Sequence, residues 1–195
     1  MRVGVFGGSF DPPHNGHLAL SLLACERLDL DRLLVSVSRN PFKSSSDAPD
    51  THRRSMAGLL VDEINLSSRI AILDTWELDR SAPSYTVDLL RRLRHESPGD
   101  ELFLIVGEDS YRALPEWRES EMIPQLCTIV VFARRAGEDA DGSAGEDATF
   151  PALFIDFDMP VSATGVRALL AKKKPVEHLV PRAVAEYIEA NGLYR

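Results

Sequence analysis

Two kinds of hydrophobic pattern alternate along this chain. Short apolar runs bounded by turn-forming residues are typical of buried parallel strands, and they predict strands at 2–6, 33–37, 70–73, 102–106, 128–132 and 153–157. Between the runs, apolar residues recur every three or four positions, as they do on one face of a helix. Helices are therefore predicted from Gly16 and Ser162, and after N-caps at Thr51 and Ser84. Further helical segments are predicted in two short pieces near Arg112 and Met122 and over 181–190.

This alternation of strands and helices predicts an α/β fold. We expect a doubly wound, mostly parallel sheet with helices on both faces, forming one domain over residues 1–195. Two polar segments interrupt the pattern, a predicted mobile loop at 38–50 and an acidic insertion at 136–149. Ligands of such folds bind at the carboxyl ends of the strands, but the fold alone does not define an activity.

Charge narrows the function classes. The chain has 195 residues with 22 basic and 30 acidic side chains, so its formal net charge is −8. That sign disfavours a general nucleic-acid binder and is also unfavourable for anionic ligands. However, five of the acidic residues lie within 136–149, which leaves little net charge elsewhere. No apolar run approaches the roughly 18 residues of a membrane span, and the N-terminal residues do not resemble a secretory signal, so a cytoplasmic location without membrane contact is predicted.

The residues after the first predicted strand indicate a phosphate site. Gly7 and Gly8 allow close approach of a bulky ligand, and the helix that follows directs its N–H groups and positive dipole end to the same place. His14 and His17 are three residues apart at this helix start, so both imidazoles can face one side. A polar helix cap and a metal pair are the alternatives, although only Asp11 could supply a third metal ligand. Neither a P-loop nor a G-x-G-x-x-G dinucleotide motif is present.

At these residues the sequence resembles a known superfamily. Residues 8–17, Gly-Ser-Phe-Asp-Pro-Pro-His-Asn-Gly-His, are similar to the signature of the nucleotidyltransferases with an H-x-G-H motif, which have a Rossmann-like fold. Further segments resemble the bacterial nicotinate-nucleotide adenylyltransferase branch; they are Ala-Pro-Ser-Tyr-Thr at 82–86, Ile-Val-Gly-Glu-Asp-Ser at 105–110, Trp117, Val-Ser-Ala-Thr-Gly-Val-Arg at 161–167, Tyr-Ile at 187–188 and Gly-Leu-Tyr-Arg at 192–195.

The resemblance implies an enzyme of NAD biosynthesis. It would transfer the adenylyl group of ATP to nicotinate mononucleotide, giving deamido-NAD and pyrophosphate, with Mg²⁺ held mainly by the ATP phosphates. The attacking phosphate oxygen is already ionised, so catalysis needs positioning and charge stabilisation rather than a general base. A sister enzyme that uses nicotinamide mononucleotide or phosphopantetheine, a cytidylyltransferase, and a non-catalytic nucleotide-binding regulatory module remain alternatives. Whether the chain forms a homo-oligomer is left open.

The same resemblance implies roles for individual residues. His14, His17 and Arg167 would be catalytic, with His17 the main group that stabilises the transition state. The residues predicted to bind ATP are Gly8, Ser9, Phe10, Gly16, Lys43, Gly107, Asp109, Arg134, Ser162, Ala163 and Thr164. Residues 39–43, Arg-Asn-Pro-Phe-Lys, depart from the Pro-Pro-His-Lys run of many members, and only the charge of Lys43 is kept.

Four residues are predicted to bind the nicotinate nucleotide, namely Ser84, Tyr85, Thr86 and Trp117. The indole of Trp117 offers a flat face on which a pyridine ring can stack, and a core tryptophan is the alternative interpretation. Thr86 lies near a predicted helix start, whose N–H groups favour a charged carboxylate over a neutral amide.

Overall fold

The computed structural model describes residues 1–39, 47–81, 83–134 and 150–195. Lys43, most of the predicted loop at 38–50 and the whole insertion at 136–149 lie outside the described residues, and so does Ala82.

The described ranges contain six strands and seven α-helices. The strands are β1 (Arg2–Gly8), β2 (Arg32–Val37), β3 (Ala71–Asp74), β4 (Glu101–Gly107), β5 (Thr128–Ala133) and β6 (Ala152–Asp156). The helices are α1 (Asn15–Arg27), α2 (Asp50–Asn65), α3 (Thr86–Glu96), α4 (Glu108–Ala113), α5 (Ile123–Leu126), α6 (Ala163–Leu170) and α7 (Arg182–Ala190). Two 3₁₀ turns, Leu114–Glu116 and Ser120–Met122, connect α4 to α5.

The strands form one sheet in the order β3-β2-β1-β4-β5-β6. Every pairing in this sheet is parallel. The chain moves outward in one direction from β1 to β3 and in the other from β4 to β6, so the order reverses between β1 and β4. Ligands of open α/β sheets bind at such a switch point, outside the carboxyl ends of the strands. The predicted doubly wound fold class is confirmed.

Both faces of the sheet are buried because successive side chains of a strand point to opposite sides. Val5 lies in a core with residues of α3 and α5, such as Leu90 and Ile123. Its neighbour Phe6 lies in the core on the other face, with Leu20 of α1 and Leu60 of α2. Continuous apolar strands are therefore the pattern this sheet requires, which is why the sequence predicts them well.

A third apolar cluster lies away from the sheet. It packs α6 and α7 onto α2, and its buried members include Met56, Val166, Val184 and Ile188. The prediction of a helix start at Ser162 is confirmed, since Ser162 is the N-cap of α6 and its hydroxyl accepts from the Gly165 N–H at 3.1 Å.

Two predicted N-caps are wrong. Helix α2 begins at Asp50 with Pro49 as N-cap, and Thr51 lies exposed inside its first turn. Asp50 suits that turn because a carboxylate is favoured at the positive end of the helix dipole. Helix α3 has Tyr85 as N-cap rather than Ser84, and the Tyr85 N–H donates to the Asp88 carboxylate at 3.1 Å.

Candidate active site

The carboxyl ends of the strands open onto a cavity of about 870 Å³, large enough for a nucleotide-sized ligand. Residues at or after the end of every strand line it, including Gly8, Ser38, Glu77, Glu108, Arg134 and Asp158. The cavity is continuous from the first turn of α1 to the first turn of α3. It therefore brings together most of the residues that the sequence singles out.

His14 and His17 lie against each other at the start of α1. Their rings are stacked with centroids 3.7 Å apart and planes 20° apart. The His14 backbone N–H donates to Nδ1 of His17 at 3.1 Å. This bond requires a neutral His17 with its proton on Nε2, so Nε2–H is the donor left for a ligand.

Both histidines are held in the neutral form. Burial lowers the pKa of His14 from its usual 6.5 to about 4. Burial, and then the charge of the neighbouring His14, lower the pKa of His17 well below 6.5. At neutral pH the pair thus offers hydrogen-bond donors rather than two cations.

His14 also carries a buried polar atom that points to a ligand. Its Nδ1 is buried and has no hydrogen-bond partner among the described residues. A buried polar group in this state costs free energy unless a further molecule satisfies it. His14 is the N-cap of α1, so the helix-cap interpretation is confirmed, and its Nδ1, unpartnered in the described part of the chain, remains available to a ligand.

Gly16 and Phe10 shape the surroundings of the pair. A Cβ at Gly16 would lie 3.0 Å from Cε1 and Nδ1 of His14, so a larger residue would require that ring to shift by a few tenths of an ångström. Phe10 is 1% exposed, and its ring lies 5.2 Å from that of His17. Phe10 does not line the cavity, so its predicted contact with ATP stays a prediction, and its backbone is in the left-handed region with φ 46°.

The start of α6 forms a second side of the cavity end that holds His14 and His17, which we call the phosphate end after the ligand predicted for it. Ser162 and Ala163 line the cavity, and the first N–H groups of a helix are suited to an anion. Thr164 is exposed, and its hydroxyl accepts from Nη2 of Arg167 at 3.4 Å. Of the three residues predicted to bind ATP at this helix start, Ser162 and Ala163 therefore line the cavity and Thr164 does not.

Arg167 is held by other protein groups. Its Nη1 donates to the Asp11 carbonyl at 2.8 Å, and its Nε forms an ion pair with Asp47 at 2.6 Å. The side chain is 25% exposed. The structure thus places Arg167 against the signature segment, in contact with Asp11, and not as a solvated helix arginine.

Predicted ATP contacts on the far side of the switch point lie at the ends of β4 and β5. Gly107 and the exposed Asp109 line the cavity at the start of α4. Arg134 also lines it and forms an ion pair with Asp158 at 2.7 Å. Asp158 was missed at the sequence level, because nothing in its neighbourhood distinguishes it from a solvated acidic residue.

The end of the cavity at α3 is built by packing. Ser84 is buried, and its hydroxyl donates to Glu77 at 3.3 Å. Thr86 is the first residue of α3, and it lines the cavity together with Tyr85. Trp117 also lines the cavity while its partly buried indole packs against the core between the sheet and α3. Trp117 is thus partly a core residue, and its role in stacking a pyridine ring stays a prediction.

Glu77 is a buried carboxylate that sequence reasoning missed. It is 5% exposed and accepts from the Arg39 N–H and the Ser84 hydroxyl, both at 3.3 Å. Burial raises its pKa above the usual 4.5, partly offset by these hydrogen bonds. It ties the segment before α3 to the end of β2, and only its tertiary contacts show this role.

Arg53 braces the other side of the cavity. It is 3% exposed and donates to the carbonyls of Ser9 and Ser38, at 2.8 and 2.9 Å. Asp50 pairs with it at 2.7 Å. An arginine on an otherwise amphipathic helix resembles a solvated residue in sequence, so its burial could not be foreseen.

Carboxylate oxygens are available for a hard cation, but no protein cage is formed. Glu108, Asp109 and Asp158 line the cavity. Within the described ranges, no three His, Cys, Asp or Glu side chains converge into a metal-binding group.

No helix in that same part of the chain is long and apolar enough to cross a membrane.

This fold and site define a class. Over residues 5–169 the sequence matches the family described as cytidylyltransferase-like, and the chain belongs to this family. Its relatives include proteins named "Probable nicotinate-nucleotide adenylyltransferase". The one from Chlorobaculum parvum is 55% identical and covers 100% of both chains. The one from Chlorobaculum tepidum is 54% identical and covers 100% of this chain and 99% of its own. The resemblance inferred from the motifs is therefore confirmed.

Solved structures agree on the fold. Plasmodium falciparum nicotinic acid mononucleotide adenylyltransferase complexed with NaAD superposes with a TM-score of 0.77 at 19% identity, covering 99% of this chain and 97% of its own. The same protein complexed with APC gives a TM-score of 0.78 at 18% identity, with coverage of 99% and 96%.

Proposed function

We propose that this protein transfers the adenylyl group of ATP to nicotinate mononucleotide, giving deamido-NAD and pyrophosphate. One observation carries the proposal: a single cavity of about 870 Å³ joins the His14–His17 pair to the Thr86–Trp117 end. Two nucleotides in one cavity can be aligned for direct transfer, with no covalent enzyme intermediate. The curated relatives bear the name of this activity.

The phosphate end supplies the catalysis. A phosphate oxygen of the acceptor attacks the α-phosphorus of ATP, the bond to the leaving pyrophosphate breaks, and negative charge accumulates on that leaving group. Nε2–H of His17 and the N-termini of α1 and α6 are fixed dipoles directed at this region. Because they are oriented before the reaction, they stabilise the developing charge without reorganising.

The other end recognises the acceptor. Thr86 is the first residue of α3 and lines the cavity, and its N–H has no carbonyl partner one turn back. This N–H can donate to the nicotinate carboxylate while the pyridine ring stacks on Trp117. Stacking of a base on an aromatic side chain contributes about 1–3 kcal/mol. The preference for the acid over the amide follows from the positive end of the helix dipole.

Mg²⁺ enters this proposal with ATP. Oxygen donors are the ligands it prefers, and the described residues offer it separate carboxylates rather than a cage, so phosphate oxygens and water hold most of its coordination sphere. When bound, Mg²⁺ neutralises phosphate charge. Its identity among divalent cations, a cytoplasmic location and the oligomeric state stay predictions.

An acceptor panel tests the proposal. The protein is incubated with Mg²⁺ and ATP and, in separate reactions, with nicotinate mononucleotide, nicotinamide mononucleotide or phosphopantetheine, and pyrophosphate release is measured. We expect the highest kcat/KM with nicotinate mononucleotide. A higher kcat/KM with either other acceptor would transfer the assignment to a sister enzyme, and no release with any of them would point to a regulatory module.

A further inference from the structure

Asp11 of the signature segment joins three distant parts of the chain. Its carboxylate is 4% exposed. Oδ2 accepts from the Asp47 N–H at 2.8 Å, and Oδ1 accepts from the Ala48 N–H at 3.1 Å. Oδ1 also accepts from the Tyr194 hydroxyl at 2.7 Å, across 183 positions of sequence. The carboxylate is therefore fully engaged, which a buried charge requires.

The same residue contacts the predicted catalytic arginine. The Asp11 carbonyl accepts from Nη1 of Arg167, and Nε of Arg167 pairs with the Asp47 carboxylate. The Asp47 N–H in turn donates to the Asp11 carboxylate. Asp11, Asp47 and Arg167 thus form a closed network, in which a shift of Asp11 would displace two of the groups that hold the guanidinium. His14 follows Asp11 by three residues, so the same network borders the histidine pair.

Tyr194 is built into this network. Its ring packs against the third apolar cluster, and its hydroxyl contacts Sδ of Met56 at 4.0 Å as well as Asp11. Its backbone is in the left-handed region with φ 63°, a conformation that a bulky residue keeps only where its surroundings hold it. Burial and the hydrogen bond to Asp11 raise the pKa of the phenol, so it stays a donor throughout the neutral range.

We propose that Tyr194 is a positioning residue of the phosphate end, whose hydroxyl holds Asp11 and thereby sets Arg167 and the β1–α1 segment for the phosphates of ATP. This inference rests on the proposed function and extends it to the Gly-Leu-Tyr-Arg segment at 192–195, which no other part of the site uses. The acceptor end does not belong to the network, so its recognition of nicotinate mononucleotide is independent of Tyr194.

The test is Tyr194→Phe, which removes the hydroxyl and keeps the ring. Tyr187→Phe is the matched control, because the Tyr187 hydroxyl contacts Nδ1 of His52 at 2.9 Å on the same α2–α7 interface but does not touch Asp11. All proteins are assayed well below their thermal midpoints. For Tyr194→Phe we expect kcat/KM for ATP to fall about 10- to 100-fold, as for a catalytic group displaced by part of an ångström. The KM for nicotinate mononucleotide stays within twofold, and Tyr187→Phe matches the wild type.

A double-variant cycle with Asp11→Asn adds a second measurement. If Tyr194 acts through Asp11, adding Tyr194→Phe to Asp11→Asn lowers kcat/KM for ATP by much less than it does in the wild type. Equal factors in both backgrounds would overturn the proposal. So would a Tyr194→Phe variant with wild-type kinetics, or one that does not fold, because the hydroxyl would then serve the fold as a whole.

A third readout does not depend on turnover. Amide hydrogen exchange at Asp47 and Ala48 should be faster in Tyr194→Phe than in Tyr187→Phe, since both amides donate to Asp11. If the wild type releases no pyrophosphate with any acceptor, the proposed function fails. The network is refuted separately if Tyr194→Phe shows unchanged amide exchange together with unchanged affinity for α,β-methylene-ATP in calorimetry.

Discussion

The two ends of the cavity are built on different physical principles. At the phosphate end, His14 and His17 are neutral donors, and one buried nitrogen of His14 lacks a partner among the described residues. At the acceptor end, Ser84 and Glu77 satisfy each other, and Trp117 packs on the core. The first end thus keeps polar groups unsatisfied by the protein, whereas the second end is a packed surface with a fixed shape.

This difference explains how an acidic protein can bind two anionic nucleotides. Cations such as Arg167 and Arg134 are paired with Asp47 and Asp158, so the cavity carries little free positive charge. Oriented donors and helix N-termini provide the stabilisation instead, and they act strongly where water is excluded. The net charge of −8 therefore disfavours a general nucleic-acid binder but not a local anion site.

The largest effect should come from His17 at the phosphate end. His17→Ala removes the Nε2–H donor, and we expect kcat to fall about 10²- to 10³-fold, as on loss of one oriented donor to developing charge. His95→Ala, an exposed histidine of α3, is the control with the same change in composition. Steady-state kinetics and circular dichroism would measure turnover and folding. A folded His17→Ala variant with near-normal turnover would remove His17 from the catalytic role.

As the pH falls, His14 at the phosphate end should lower the free energy of unfolding, and Glu77 at the acceptor end should raise it. The unfolded chain protonates His14 below about pH 6.5, whereas the folded chain does so only near 4, so lowering the pH from 7 to 5 favours unfolding. This contribution is about 2 kcal/mol of unfolding free energy. Glu77 has the opposite effect on the free energy of unfolding. Because its pKa is raised in the folded chain, it favours folding at low pH, and this contribution is lost as the pH rises through that pKa.

Urea unfolding at pH 7 and pH 5 checks this contrast. His14→Asn should lose much of the drop in stability on acidification, and Glu77→Gln should enlarge the drop, since it removes the opposing contribution. Identical pH dependence in His14→Asn and the wild type would contradict the lowered pKa of His14.

Trp117 should give the smaller and more selective effect. Trp117→Ala removes the stacking surface, so the KM for nicotinate mononucleotide should rise about tenfold while the KM for ATP changes little. Trp76→Ala is the control, because Trp76 stacks with Arg80 and Arg92, at 4.5 and 4.9 Å. Equal rises in both KM values would mean that Trp117 supports the fold of the cavity rather than one substrate.

Much of the fold could be predicted because its signals are local. The central strands are buried on both faces and are therefore almost wholly apolar, as in Phe103 to Val106, whereas the edge strand β6 leaves Leu153 exposed. Helix starts were less certain, since Thr51 and Ser84 have the residue types of an N-cap but are not caps. Pro49 and Tyr85 take those places because the preceding backbone and the Asp88 carboxylate decide where the helix begins.

The sequence by itself determined the fold class and the family, and it predicted a phosphate site at the carboxyl end of β1. These follow from strand patterning and from residues that are neighbours along the chain, such as His14, Gly16 and His17. Only the tertiary structure decided that the histidines are neutral, that Arg167 is paired and that Tyr194 reaches Asp11. The physical reason is that desolvation and hydrogen bonding depend on which distant segments pack together, and no local pattern records that.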